Sequence, residues 1–171
     1  MLLFDRLNTG GVKLNAQELR NAIFSGPFND LLDRLSGNST FRLIWGIPIP
    51  GDTEPQKSRA EKSLVNNPIY KSMMDCELVL RVFGIQEVYK DEILDGSMKF
   101  ILDRTMRKYK NLDSTTSAEM EERFIEAIRF IYEIFENESI KNPILSPPQK
   151  ARNIYDALVV AYWEVSDKSK I

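Results

Sequence analysis

Apolar residues recur along this chain at intervals of three and four. No stretch shows the sustained two-residue alternation with β-branched enrichment that marks a strand, so the pattern predicts an all-α fold. The strongest stripe is Leu78, Val82, Ile85 and Tyr89, flanked by Val79 and Phe83, which predicts a core helix. Between Met98 and Leu112, Ile101, Leu102, Met106 and Tyr109 fall on one side of a helix, and Lys99, Asp103, Arg107 and Lys110 on the other. Phe124, Ile128, Ile131 and Phe135 predict a further helix within Glu119 to Glu138. Ile154, Leu158 and Ala161, with Tyr155, Val159 and Tyr162, predict a last one, and Pro143, Pro147 and Pro148 separate the two.

Breaks in the earlier part of the chain are set by glycine, proline and asparagine. A short helix from about Leu2 to Leu7 should stop at Asn8-Thr9-Gly10-Gly11, where the left-handed backbone is tolerated. Asn15 and Glu18 have the spacing of a capping box, which opens a helix running to about Phe24. Gly26-Pro27 restarts the chain, and Phe28, Leu31, Leu32 and Leu35 form a stripe that ends before Gly37. Ser39 is placed to cap a brief turn through Phe41, Leu43 and Trp45. Residues 46–68 hold four prolines and few large apolar side chains, which reads as a long surface loop. The expected architecture is a single helical domain over residues 1–171, an irregular bundle of five to seven helices with one long loop.

Composition narrows the chemistry. At 171 residues, 43% of them apolar and 28% charged, the chain can bury one ordinary core. It has no histidine, so a Ser-His-Asp or Cys-His pair, an HNH-type nuclease centre and a histidine-containing zinc site cannot be built from it. Cys76 is the single cysteine, which leaves neither an internal disulfide nor a thiolate cluster. A net charge of -2 gives no whole-surface attraction to nucleic acid. The longest charge-free apolar stretch, between Arg42 and Asp52, is broken by Gly46, Pro48 and Pro50, so no membrane span is expected. Met-Leu-Leu-Phe followed at once by Asp5 and Arg6 is not a secretory signal, and a cytoplasmic location is expected.

Few side chains stand out as chemical candidates. Lys99, Arg104, Arg107, Lys108 and Lys110 form a basic stretch that could touch phosphates, and Glu119 to Glu138 offers a complementary acidic field. Cys76 is flanked by Asp75 and Glu77 and reads as an inert structural thiol. Glu121, Glu122 and Glu126 lie on one helix and supply too few oxygens for a hard cation; neither a metal site nor a catalytic residue is expected. Arg81 sits in an apolar run, where it either extends to solvent or anchors an acid, Glu77 being the nearest at helical spacing. The Asn8-Thr9-Gly10-Gly11 turn is the best anion-binding candidate, because two glycines let backbone N–H groups converge ahead of a helix start.

At this turn the sequence becomes familiar. Phe4-Asp-Arg-Leu-Asn-Thr-Gly-Gly-Val-Lys-Leu-Asn-Ala-Gln-Glu-Leu-Arg-Asn-Ala-Ile23, within residues 1–26, closely resembles the second signature of the prokaryotic DGQQR-motif family, which includes the N-terminal domain of GmrSD-type restriction enzymes. Asp75-Cys-Glu-Leu-Val-Leu-Arg-Val-Phe83 resembles that family's central helix, and Asn153-Ile-Tyr-Asp-Ala-Leu-Val-Val160 its closing helix. Members of the family begin with a ParB-like α/β region whose Asp-Gly-Gln-Gln-Arg motif binds or hydrolyses nucleotide, and many act in defence against phage or modified DNA. That motif is absent here, so the chain resembles the later helical portion of the family.

The family's nuclease lies in a further HNH-like domain, which a chain without histidine does not contain. Asn8, Leu14 and Glu18 reproduce the spacing of the ParB nucleotide motif, whereas Leu7 and Gly11 stand where that motif has glutamate and arginine. The resemblance therefore implies Asn8, Gly10 and Gly11 as phosphate contacts, the glycines through their backbone donors. It implies no cofactor in the isolated chain and a nucleoside triphosphate in a full-length protein, with the ParB-like region or another protein as partner. The alternative is a free-standing helical module that binds a protein or its own copy. A third reading is nucleic-acid binding through Lys99 to Lys110.

Overall fold

Residues 14–51, 54–91, 96–135, 140 and 151–166 are described by a computed structural model, and among them are nine α-helices and no strand. The fold is all-α. The helix expected from Leu2 to Leu7 and the turn that follows it lie outside the described residues.

Short polar side chains start most of the helices. Helix α1 (Ala16–Ile23) begins at Asn15, whose Oδ1 accepts the Gln17 and Glu18 backbone N–H groups at 2.9 and 3.0 Å. The Glu18 carboxylate accepts the Asn15 N–H in return at 2.7 Å, closing the capping box that the spacing predicts. Helix α2 (Pro27–Ser36) opens on proline, whose missing N–H costs nothing in a first turn. Helix α3 (Ser39–Trp45) is capped by Asn38 and not by Ser39: the Asn38 side chain accepts the Phe41 N–H at 3.0 Å, and Ser39 is the first helical residue.

The expected loop over residues 46–68 is corrected, because helix α4 (Glu54–Asn66) occupies most of it. Its prolines cluster at positions 48, 50, 55 and 68. Pro55 falls in the first turn of the helix, and the eleven residues from Gln56 to Asn66 contain neither proline nor glycine. The segment is polar because it lies on the surface, with Leu64 its contribution to the core. The short α5 (Pro68–Lys71) follows, capped by Asn67. With α4 and α5 the count rises above the five to seven helices expected.

Helix α6 (Met74–Asp91) is the hub. Leu78, Val79, Leu80, Val82 and Phe83 are each at most 1% exposed, and α1, α2, α5, α7 (Met98–Tyr109), α8 (Ser114–Ile134) and α9 (Arg152–Ser166) all touch it. Helix α8 starts five residues before the expected Glu119, because Asp113 accepts the Thr115 and Thr116 N–H groups at 2.9 and 3.0 Å. Rings stitch the helices together: Tyr109, Phe28, Phe83, Phe124 and Phe41 follow one another at centroid distances of 5.4, 5.9, 6.3 and 5.8 Å. Trp45 meets Tyr155 edge-on at 5.2 Å, which fixes α3 against α9.

Two glycines are required by close approaches. A Cβ on Gly84 would stand 3.1 and 3.2 Å from Leu102 and Ile101, so α6 and α7 pack backbone-close there. Gly26 has φ +151, and a Cβ on it would reach 2.9 Å from the Lys110 carbonyl oxygen. Among the described residues no helix is long and apolar enough to cross a membrane.

Candidate functional site

The three stretches that carry the family resemblance meet in one buried charge network. On α1, Gln17 and Arg20 are three residues apart and face the core, and the Arg20 side chain is 4% exposed. Its Nη1 donates to Glu77 Oε2 and to Gln17 Oε1, both at 3.2 Å, and its Nε donates to Asp103 Oδ1 at 2.7 Å. Glu77 lies in the first turn of α6, where the helix field favours a carboxylate. Its other oxygen accepts from Arg81 Nη2 at 3.4 Å. Arg81 Nη1 donates to Asp156 Oδ2 on α9 at 2.5 Å. Of the two fates open to Arg81, the structure takes the anchored one, and the shorter of its two contacts is with Asp156 rather than Glu77.

Lys99 and Arg152 complete the network from its rim, at 3.2 Å from Asp103 Oδ2 and 3.9 Å from Glu77 Oε1. Three carboxylates are thus matched with four cations. Burial works to raise Asp103, but the hydrogen bonds from Arg20 and Lys99 outweigh it and hold its carboxyl below the usual range. Asp156 differs: burial raises it, and Arg81 does not fully compensate. In keeping with that, Asp156 Oδ1 and Arg81 Nε are covered from water without a hydrogen-bond partner. Chemically the arrangement is a clamp, in which every acid is engaged by a cation. Removing one member of a buried pair typically costs roughly 3–5 kcal/mol.

The clamp inverts the polarity of α1. Gln17 and Arg20 are 1% and 3% exposed, while Leu19 and Ile23 on the same helix are 47% and 55% exposed. Phe100, one turn before Asp103 on the neighbouring α7, is 56% exposed. Helix α1 therefore turns its charged side inward and presents an apolar side outward, against the usual order.

Asn8, Gly10 and Gly11 lie outside the described residues. Glu18, which matches the ParB glutamate, is committed to the α1 cap. The basic stretch is answered in part from within the molecule. Lys99 pairs with Asp103, and Lys108 pairs with Glu87 of α6, a residue 4% exposed that also accepts the Tyr109 hydroxyl at 2.6 Å. Burial works to raise Glu87, but Lys108 and Tyr109 hold it below its ordinary value. The glutamate-rich α8 is not the partner of these lysines; its Glu121 pairs with Arg34 of α2 at 2.7 Å. Cys76 is 5% exposed, and burial, reinforced by Asp75 and Asp33, pushes its thiol far above the range in which it ionises.

Sequence reasoning passed over Arg20, Asp103, Glu87 and Asp156. Each looks like a solvent-facing charge at helical spacing, and its partner stands 21 to 83 residues away. No protein-family model, curated protein or solved structure matches the chain.

Proposed function

We propose that the chain is the helical portion of a DGQQR-type nucleotide-dependent restriction or phage-defence protein. In this reading it supports a nucleotide site that a ParB-like region completes, and it is not catalytic alone. The observation that carries the reading is the inverted α1: buried charges fix the helix that follows the glycine-rich stretch in sequence, and Leu19 and Ile23 give that helix an exposed apolar face. Asn8, Gly10 and Gly11 then supply phosphate contacts, and the ParB-like region covers the apolar face. Phosphoryl transfer depends on cations and donors placed around the phosphates, and this chain supplies one edge of that arrangement.

The test mixes the chain with a purified ParB-like polypeptide bearing the Asp-Gly-Gln-Gln-Arg motif and follows association and phosphate release from GTP and ATP. The chain alone should release none, and the mixture should associate and turn over. Asn8→Ala should remove turnover while leaving association, and Leu19→Glu with Ile23→Glu should remove both. Hydrolysis by the chain alone that Asn8→Ala abolishes would overturn the proposal, as would association indifferent to Leu19 and Ile23. The exposure of Phe100 beside this face favours self-association as the second reading. Sedimentation would then show a dimer that Leu19→Glu disrupts and that the ParB-like polypeptide does not compete with.

A further inference from the structure

At the end of the bundle where α6 and α9 finish against α8, a hollow of about 340 Å³ opens among the three helices. It is independent of the charge clamp and of the reading above. Its walls carry aromatic surface from Tyr89, Tyr162 and Trp163. Tyr162 and Trp163 pack edge-on at 4.6 Å, so these two rings form a fixed corner. Lys90 from α6 and Arg123 from α8 stand on the exposed rim, and neither closes an ion pair among the described residues. Glu126 is the one acid in the lining. It accepts the Tyr162 hydroxyl at 2.9 Å; burial and this carboxylate push Tyr162 up to about 12, which keeps it a donor.

Trp163 is 6% exposed, so packing holds its ring in place along the hollow. Two rim cations, a net positive lining and aromatic walls describe complementarity to one kind of molecule.

We propose that this hollow binds a small aromatic anion, a planar one- or two-ring body carrying a carboxylate or phosphate. The rings would lie against the aromatic corner, and the anionic group would sit between Lys90 and Arg123. The volume is at the low end of the roughly 300–1,000 Å³ of small-molecule sites, which suits a bicyclic body and excludes a large cofactor.

Calorimetric titration of the whole chain with indole-3-acetate and with AMP tests this, with indole-3-acetamide and adenosine as uncharged controls. Binding of indole-3-acetate assigns the site to carboxylates and binding of AMP to phosphates, and in either case the uncharged control should bind at least tenfold more weakly. Lys90→Gln with Arg123→Gln, both surface changes, should abolish binding, and raised salt should weaken it in the parent protein. Absence of binding by both anions at millimolar concentration overturns the proposal. So does affinity unchanged in the Lys90/Arg123 double variant, or equal affinity for the anions and their neutral controls.

Discussion

Replacing Asp75 by asparagine should stabilise the protein at neutral pH, and the gain should disappear in acid. Asp75 is 2% exposed at the start of α6. Burial raises its carboxyl from the ordinary 3.8 to about 6, against the opposing pull of the Cys76 backbone, Ser36 and Arg42. A folded-state value above the unfolded one means that the native state holds this proton more tightly. The contribution to stability is therefore complete below about pH 4 and is lost as pH rises through about 6. The difference between 3.8 and about 6 corresponds to about 3 kcal/mol at 1.36 kcal/mol per unit, and it already includes the attraction of Arg42.

Asparagine keeps the size of the neutral acid and cannot ionise. Urea unfolding of the two proteins at pH 4, 5, 6 and 7 should show a gap that opens from near zero to about 3 kcal/mol, or roughly 6–12 °C in Tm for a domain of this size. A gap that stays constant across that range, or a variant less stable than the parent at pH 7, would refute the reasoning that the buried carboxylate is strained by its charge.

Three further outcomes follow from the packing. Arg20→Met should cost roughly 3 kcal/mol and raise hydrogen exchange across residues 16–23, since it leaves Glu77 and Asp103 short of a buried cation; unchanged exchange there would dismiss the clamp. Phe124→Ala should cost about 3–5 kcal/mol in urea unfolding, because the ring is fully buried between Phe41 and Phe83. Cys76 should not react with a thiol reagent at pH 8 in the native protein and should react fully in denaturant; ready native labelling would contradict its burial.

The fold was legible wherever one segment's own pattern decides its state. The α6 stripe, the α7 faces and the Asn15–Glu18 cap follow from spacing alone, because helices recruit partners three and four residues away. Helix α4 escaped because Pro48, Pro50, Pro55 and Pro68 punctuate its surroundings, and a polar surface helix leaves almost no apolar stripe. The start of α8 escaped because Ser114-Thr-Thr-Ser117 has weak helix propensity, and only the Asp113 cap offsets it. Arg81 could be recognised as needing an acid. That its shorter contact would be Asp156, 75 residues on, belongs to the packing of α9 and is not written in local spacing. Arg20 was harder still, since its burial reverses the amphipathic order that makes helices readable.

From Asp75 to Val88 helix α6 has no exposed residue, and that has a consequence during synthesis. Arg81 leaves the ribosome about 75 residues before Asp156, and Leu78 about as far ahead of Tyr155, whose hydroxyl donates to its carbonyl at 3.2 Å. At roughly 5–20 residues per second the nascent hub waits about 4–15 seconds for its last cover. A polypeptide interrupted before residue 152 would carry an uncovered apolar helix with its guanidinium one acid short, a natural target for chaperones and proteases.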